Sequence, residues 1–211
     1  MKSNDAAAPR RSDRPPKGDT RQEALLAAAD ALLQQGRFSD ASVATLAEAA
    51  GISRAAFYFY FASKEALLAT VLDRAIRGFN DRIATILDPA TVTDAAAAIR
   101  ASVEAAGELW WQHNAVLCAS FELGTRIPEV YERTQKNLAI VQGPTSILLR
   151  RVGRVPEAAD PKEAAALVLV LIQSAERVLY DLMRGRPTRK QLKSTTDRLA
   201  RLWLRAFGLE A

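Results

Sequence analysis

SVATLAEAAGISRAAFYFY, residues 42–60, reads as two short helices around a tight corner. Val43, Leu46, Ala47 and Ala50 recur at i, i+3, i+4 and i+7, which places them on one helical face. Ser42 stands where its hydroxyl can cap the first free N–H groups. Gly51 ends this helix, because the residue past a C-cap is commonly left-handed and glycine has no Cβ to clash there. Ser53 follows as a second N-cap. Small Ala47 lets the second helix approach closely, and Ile52 and Phe57 close the wedge. The pattern predicts a helix-turn-helix, whose second helix is shaped to lie in a DNA major groove.

Five aromatics follow in a row, Phe57-Tyr58-Phe59-Tyr60-Phe61, and then Ala62-Ser63-Lys64-Glu65. So many on one short helix cannot all be core, so some must face outward. An outward Tyr beside Arg and Lys suits a phosphate oxygen. The ordered run GISRAAFYFYFASKEALL, Gly51 to Leu68, resembles the DNA-binding signature of the TetR family of transcriptional regulators. The FYFYF variant and a looser C-terminal match resemble the ethionamide-resistance branch of that family. The close resemblance covers roughly residues 20–75; beyond it rests on helix layout and scattered residues.

Net charge is +5 over 211 residues, but it is unevenly placed. Residues 1–66 carry nine Lys/Arg and eight Asp/Glu, residues 67–183 twelve and fourteen, and residues 184–211 eight and two. DNA affinity must therefore come from local placement of cations, since the bulk charge of the N-terminal part is small. Lone Cys118 excludes an intramolecular disulfide and fits a reducing cytoplasm. No apolar run is long enough to span a membrane, and the N-terminus lacks the apolar core of a secretory signal. These features predict a cytoplasmic, nucleoid-associated protein.

Working outward, residues 1–19 (MKSNDAAAPRRSDRPPKGD) read as a disordered basic arm. Arg10, Arg11, Arg14 and Lys17 suit a phosphate backbone, and a merely solubilising tail is the other reading. Thr20 should open helix 1, with Glu23 as capping-box partner. Leu25, Ala29, Leu32 and Leu33 make its buried face, Gly36 ends it, and Phe38 plugs the small core. Helix 4 should run from Ser63 to Leu87, stopped by Asp88-Pro89. No convincing β-alternation follows, so the fold class is all-α with about nine helices. The rest reads as helix 5 (92–113), helix 6 (115–125), helix 7 (128–151), helix 8 (161–184) and helix 9 (188–207). Gly143-Pro144 should kink or interrupt helix 7. The expected domains are the arm, a helix-turn-helix head at 20–66, and a ligand-binding and dimerisation domain at 67–211.

In helix 8 the run AAALVLVLI is apolar on every side and predicts burial all round. A symmetric partner supplies that burial. Helices 8 and 9 of two subunits would form a four-helix interface, as the resemblance also implies. The resulting homodimer sets two recognition helices about 34–36 Å apart, or a multiple, on a palindromic double-stranded operator.

Catalytic and metal sites are absent from the pattern. His113 and Cys118 are the only ones of their kinds and lie five apart, off a shared helical face. No triad order, zinc spacing or phosphate loop is present, so an enzyme is not expected, and no cofactor. His113 reads as a cap or surface residue. Cys118 reads as core, with a redox switch as the minor alternative.

For DNA, Ser53 and Tyr58 suit phosphates, as does Lys64 at the start of helix 4. Arg54 can bond guanine and Ala55 can touch a thymine methyl. The resemblance adds Thr45 and Tyr60, though Tyr60 equally reads as a wedge between helices 1 and 4. Phe57 and Phe61 are assigned to the core, and Phe59 stays open. For an apolar or amphipathic effector, Trp110, Phe121, Tyr131 and Trp203 are bulky residues on different helices. Gln173, Glu176 and Tyr180 form one polar-tipped stripe on helix 8. Such apolar pockets with few polar anchors hold small molecules, although plain core is the competing reading. The resemblance also implies Val103, Leu117, Leu138, Gln142 and Ile172 as lining residues. Several aromatic or polar positions of the branch are aliphatic here, Leu138 and Ile172 among them, so the ligand need not be shared.

The resemblance implies a repressor released when an effector enters between helices 5, 7 and 8 and shifts helix 4. A TetR-like activator, and a helical carrier for apolar molecules, remain as alternatives.

Overall fold

A computed structural model describes residues 17–209 apart from Pro89 and Thr125. The expected arm lies almost entirely outside the described residues. Its last part does not, because α1 (Lys17–Gln34) begins three residues before the expected start. Glu23 is not a capping partner there; it pairs across to Arg74.

The head is built from α1, α2 (Val43–Ala49) and α3 (Arg54–Tyr60). The caps form as expected. The Ser42 hydroxyl accepts from the Thr45 N–H and the Ser53 hydroxyl from the Ala56 N–H, both at 3.1 Å. Gly51 has φ +68°. Around it the Ile52 N–H reaches back to the Ala47 carbonyl and the Gly51 N–H to that of Glu48, each at 2.9 Å. This closes a Schellman end and fixes the corner between α2 and α3. Leu25, Ala29, Leu46, Phe57, Leu67 and Leu68 are fully buried, and Phe38 and Phe61 nearly so. Each large apolar side chain among them is worth about 1.5–3 kcal/mol on burial.

α4 (Lys64–Ile86) is capped by Ser63, whose hydroxyl accepts from the Ala66 N–H at 2.9 Å. It packs on α1 and on three later helices, α5 (Ala95–Gln112), α6 (Asn114–Gly124) and α7 (Pro128–Val152). The body is completed by α8 (Pro161–Arg184) and α9 (Arg189–Ala206). All nine helices of the described residues were expected, with ends shifted by a few residues. Asp94 caps α5, its carboxylate accepting from the Ala97 N–H at 2.9 Å, so that helix begins later than expected. A 3-10 turn, Pro156–Ala159, sits in the loop before α8.

α7 runs on through Gly143-Pro144. On the neighbouring turn Thr145 and Ser146 donate hydroxyl bonds to the Val141 and Gln142 carbonyls, at 2.6 and 2.7 Å. In the single chain α8 is buried on one side only. Val168, Leu171, Ile172, Ala175 and Leu179 face inward, but Val170 is 59% exposed and Val178 40%. Leu202 of α9 is likewise half exposed.

α5 and α9 lie especially close. A Cβ on Gly107 would stand 2.4 Å from Thr196 Cγ2. Thr196 is buried, and its hydroxyl is held on the Leu192 and Lys193 carbonyls at 3.2 and 3.0 Å.

Candidate functional site

α3 presents a mixed polar and aromatic surface. Ser53, Arg54 and Ala55 are exposed at its start, with Tyr58 half exposed one turn on. The Arg54 guanidinium lies 6.0 Å from the Tyr58 ring centroid, which keeps cation and phenol on one face. With its oxygen accepting the capping bond, the Ser53 hydroxyl can still donate its proton outward. Thr45, on α2, is half-buried and its hydroxyl bonds that of Ser42 at 2.9 Å.

The aromatic run divides as its length demanded. Phe57 and Phe61 are core, and Phe59 is 83% exposed. Tyr60 is half-buried and packs against the apolar core.

Lys64 is not disposed as expected. Its ammonium donates to the Phe38, Ser39 and Ala41 carbonyls at 3.3, 2.8 and 3.1 Å and lies 5.4 Å from the Phe38 ring centroid. An ammonium has three donors, and all three are engaged in tying the α1–α2 connection to the start of α4.

The second feature is a cavity of about 130 Å³ in the body of the helical bundle. That is far above the roughly 10–15 Å³ a single water needs. The expected lining residues Val103, Trp110, Leu117, Phe121, Leu138, Ile172, Glu176 and Trp203 all meet there. Trp110 and Phe121 are in edge contact, with centroids 6.5 Å apart.

Four expected residues are elsewhere. Tyr131 is 53% exposed at the start of α7. Gln142 donates from Nε2 to the Ala165 carbonyl at 3.0 Å, joining α7 to α8. Gln173 is exposed, because it falls off the inward face of α8. Tyr180 is buried behind the wall: its ring stacks on Phe121 at 4.4 Å and its hydroxyl donates to Glu122 at 2.8 Å.

One whole wall was missed. Leu72, Ile76, Phe79, Asn80 and Ile83 line the cavity from α4. Their spacing of three and four residues was legible, but it reads equally as the core stripe of any long helix. Polar groups around the cavity are few. The Ser120 hydroxyl, Asn137 Nδ2 and Trp203 Nε1 are buried without a partner, and all three residues line it. Among the described residues Glu176 is the sole ionisable one of the lining. Burial pushes its carboxyl up to about 7.

Burial, with Glu122 nearby, raises the Cys118 thiol to about 11, which keeps it an unreactive thiol. His113 is the C-cap of α5. Among the described residues no group of three His, Cys, Asp or Glu side chains is placed to hold a metal ion. No helix among them is long and apolar enough to cross a membrane.

Comparison with known proteins places this geometry in context. Residues 25–71 match the profile described as bacterial regulatory proteins, tetR family. Over 192 residues the chain is 31% identical to the HTH-type transcriptional regulator EthR of Mycobacterium tuberculosis, covering 90% of this chain and 88% of that protein. It is 42% identical over 127 residues to EthR of Mycolicibacterium smegmatis, covering 58% and 56%. In fold it is similar to the transcriptional regulator FadR of Bacillus subtilis in complex with stearoyl-CoA. The TM-score there is 0.68 at 14% identity, over 90% of this chain and 99% of that one.

Proposed function

Because the chain belongs to the TetR family of bacterial transcriptional regulators, we propose that it is a ligand-responsive repressor. It binds a palindromic operator as a dimer in the cytoplasm, at the nucleoid, and leaves it when an apolar or amphipathic molecule fills the cavity. The observation that carries this reading is the double role of α4. Its first residue clamps the head through the Phe38, Ser39 and Ala41 carbonyls, and its later turns form a wall of the cavity.

Arg54 and Ala55 read base edges, and Ser53, Tyr58 and Thr45 hold phosphates. Tyr60 contributes to DNA binding only through the packing of the head. The functional units are the head at 20–66 and the regulatory and dimerisation body at 67–211. The boundary between them lies inside the first turn of α4, so the units share a helix instead of a linker. Two copies associate through α8 and α9, which explains the uncovered Val170, Val178 and Leu202. A filled cavity shifts α4 and changes the spacing of the two heads. The ligand does so only by binding one dimer shape more tightly than the other.

The test is binding of the full chain to DNA flanking its own gene at two salt concentrations, beside a Val170→Glu, Val178→Glu double variant. Selective binding that survives the higher salt, and a variant that sediments as a monomer with weakened operator affinity, are the expected results. Equal binding to all sequences that vanishes with salt would remove the operator reading.

A further inference from the structure

The cavity wall is apolar except at a few points, and those points have a definite chemical sense. Glu176 of α8, an acid, is the only ionisable residue of the lining among the described residues. No Lys, Arg or His among the described residues lines the cavity. Asn137 Nδ2 and Trp203 Nε1 can only donate, the Ser120 hydroxyl can do either, and none of the three has a partner.

An anionic headgroup therefore meets no cation here, and it meets a carboxyl instead. A neutral headgroup satisfies the donors but leaves the acid without a charge partner. A cation completes the set, because an ammonium donates to the Glu176 carboxylate in a charge-assisted bond. An ether, hydroxyl or carbonyl oxygen on the same molecule would accept from Asn137 or Trp203.

Resting on the reading of this cavity as the effector site, we propose that the effector is an apolar amine whose ammonium pairs with Glu176. Burial raises the Glu176 carboxyl to about 7, so its charged form gains from a cationic partner. An aliphatic amine titrates near 10, as lysine does, and so brings the proton that the pair shares.

Binding is read without DNA from the change in tryptophan fluorescence, to which the lining residues Trp110 and Trp203 contribute beside Trp111, using dodecylamine, dodecanol and dodecanoate at about pH 8, where Glu176 is largely ionised and the amine still charged. Dodecylamine is expected to bind about tenfold or more tighter than the other two, the scale of a hydrogen bond to a charged group. In E176Q the amine and the alcohol should bind alike. Tighter or equal binding of dodecanol or dodecanoate to the wild-type chain overturns the proposal, and that comparison does not depend on any variant folding. An amine preference that persists in a folded E176Q overturns it as well. Binding by none of the three overturns the effector-site reading together with the proposal. Binding by all three without preference overturns the proposal alone.

Discussion

Asp73 of α4 accepts a hydrogen bond from Arg133 of α7 at 2.7 Å, and the next residue, Arg74, pairs with Glu23 of α1. Two adjacent side chains thus tie one turn of α4 to the body on one side and to the head on the other. The Asp73–Arg133 pair is exposed by 32% and 41% on its two sides, so its share of stability is below about 1 kcal/mol. Its role is in transmission. Asp73→Asn should leave effector affinity nearly unchanged while cutting the ligand-induced loss of operator affinity by about fivefold. Paired titrations of operator release and direct ligand binding check this. An unaltered release curve would count against the pair as a link.

Arg54 and Lys64 should separate cleanly. Arg54→Ala is expected to cost about 1–3 kcal/mol of operator binding and to relax specificity at one base position. Lys64→Met instead removes the donor for three carbonyls of the head. It should lower the melting temperature, corresponding to about 1–3 kcal/mol, and leave the salt slope of DNA binding unchanged. A slope reduced by about one would assign Lys64 to a phosphate after all.

Glu176 makes the protein less stable as pH rises. Its folded value is raised from 4.5 to about 7, so between those limits the folded state holds a proton that the unfolded state releases. Stability therefore falls as pH climbs through that window and levels off above it. Glu176→Gln should abolish this component and leave the variant more stable than wild type above neutrality, by a few kcal/mol at most. Denaturant titrations of both proteins at several pH values measure the difference, in which the other carboxylates cancel.

Gly107→Ala should destabilise the body although alanine is the better helix former. The added Cβ meets Thr196 Cγ2, whose side chain is anchored by its own hydroxyl bonds and cannot easily turn away. Overpacking of this kind costs about 1–3 kcal/mol. Thermal unfolding of Gly107→Ala alone and with Thr196→Ser checks the cause: removing the methyl should restore much of the loss.

The sequence by itself determined the helices and their caps, because those depend on neighbours within one turn. Ser42, Gly51, Ser53 and Ser63 did in the structure what their local chemistry required. It also determined that the aromatic run must split between core and surface. Only the tertiary structure decided which partners long polar side chains chose. Lys64 reaches carbonyls about 25 residues away in sequence, Glu23 leaves its expected cap for Arg74, and Gln142 bonds α8 instead of facing the cavity. The same holds for the cavity. A stripe such as Leu72, Ile76, Phe79 and Ile83 looks identical in sequence whether it packs against side chains or borders a void. Periodicity reports which face turns inward, and the difference between a filled and an unfilled interior is set by how six helices meet.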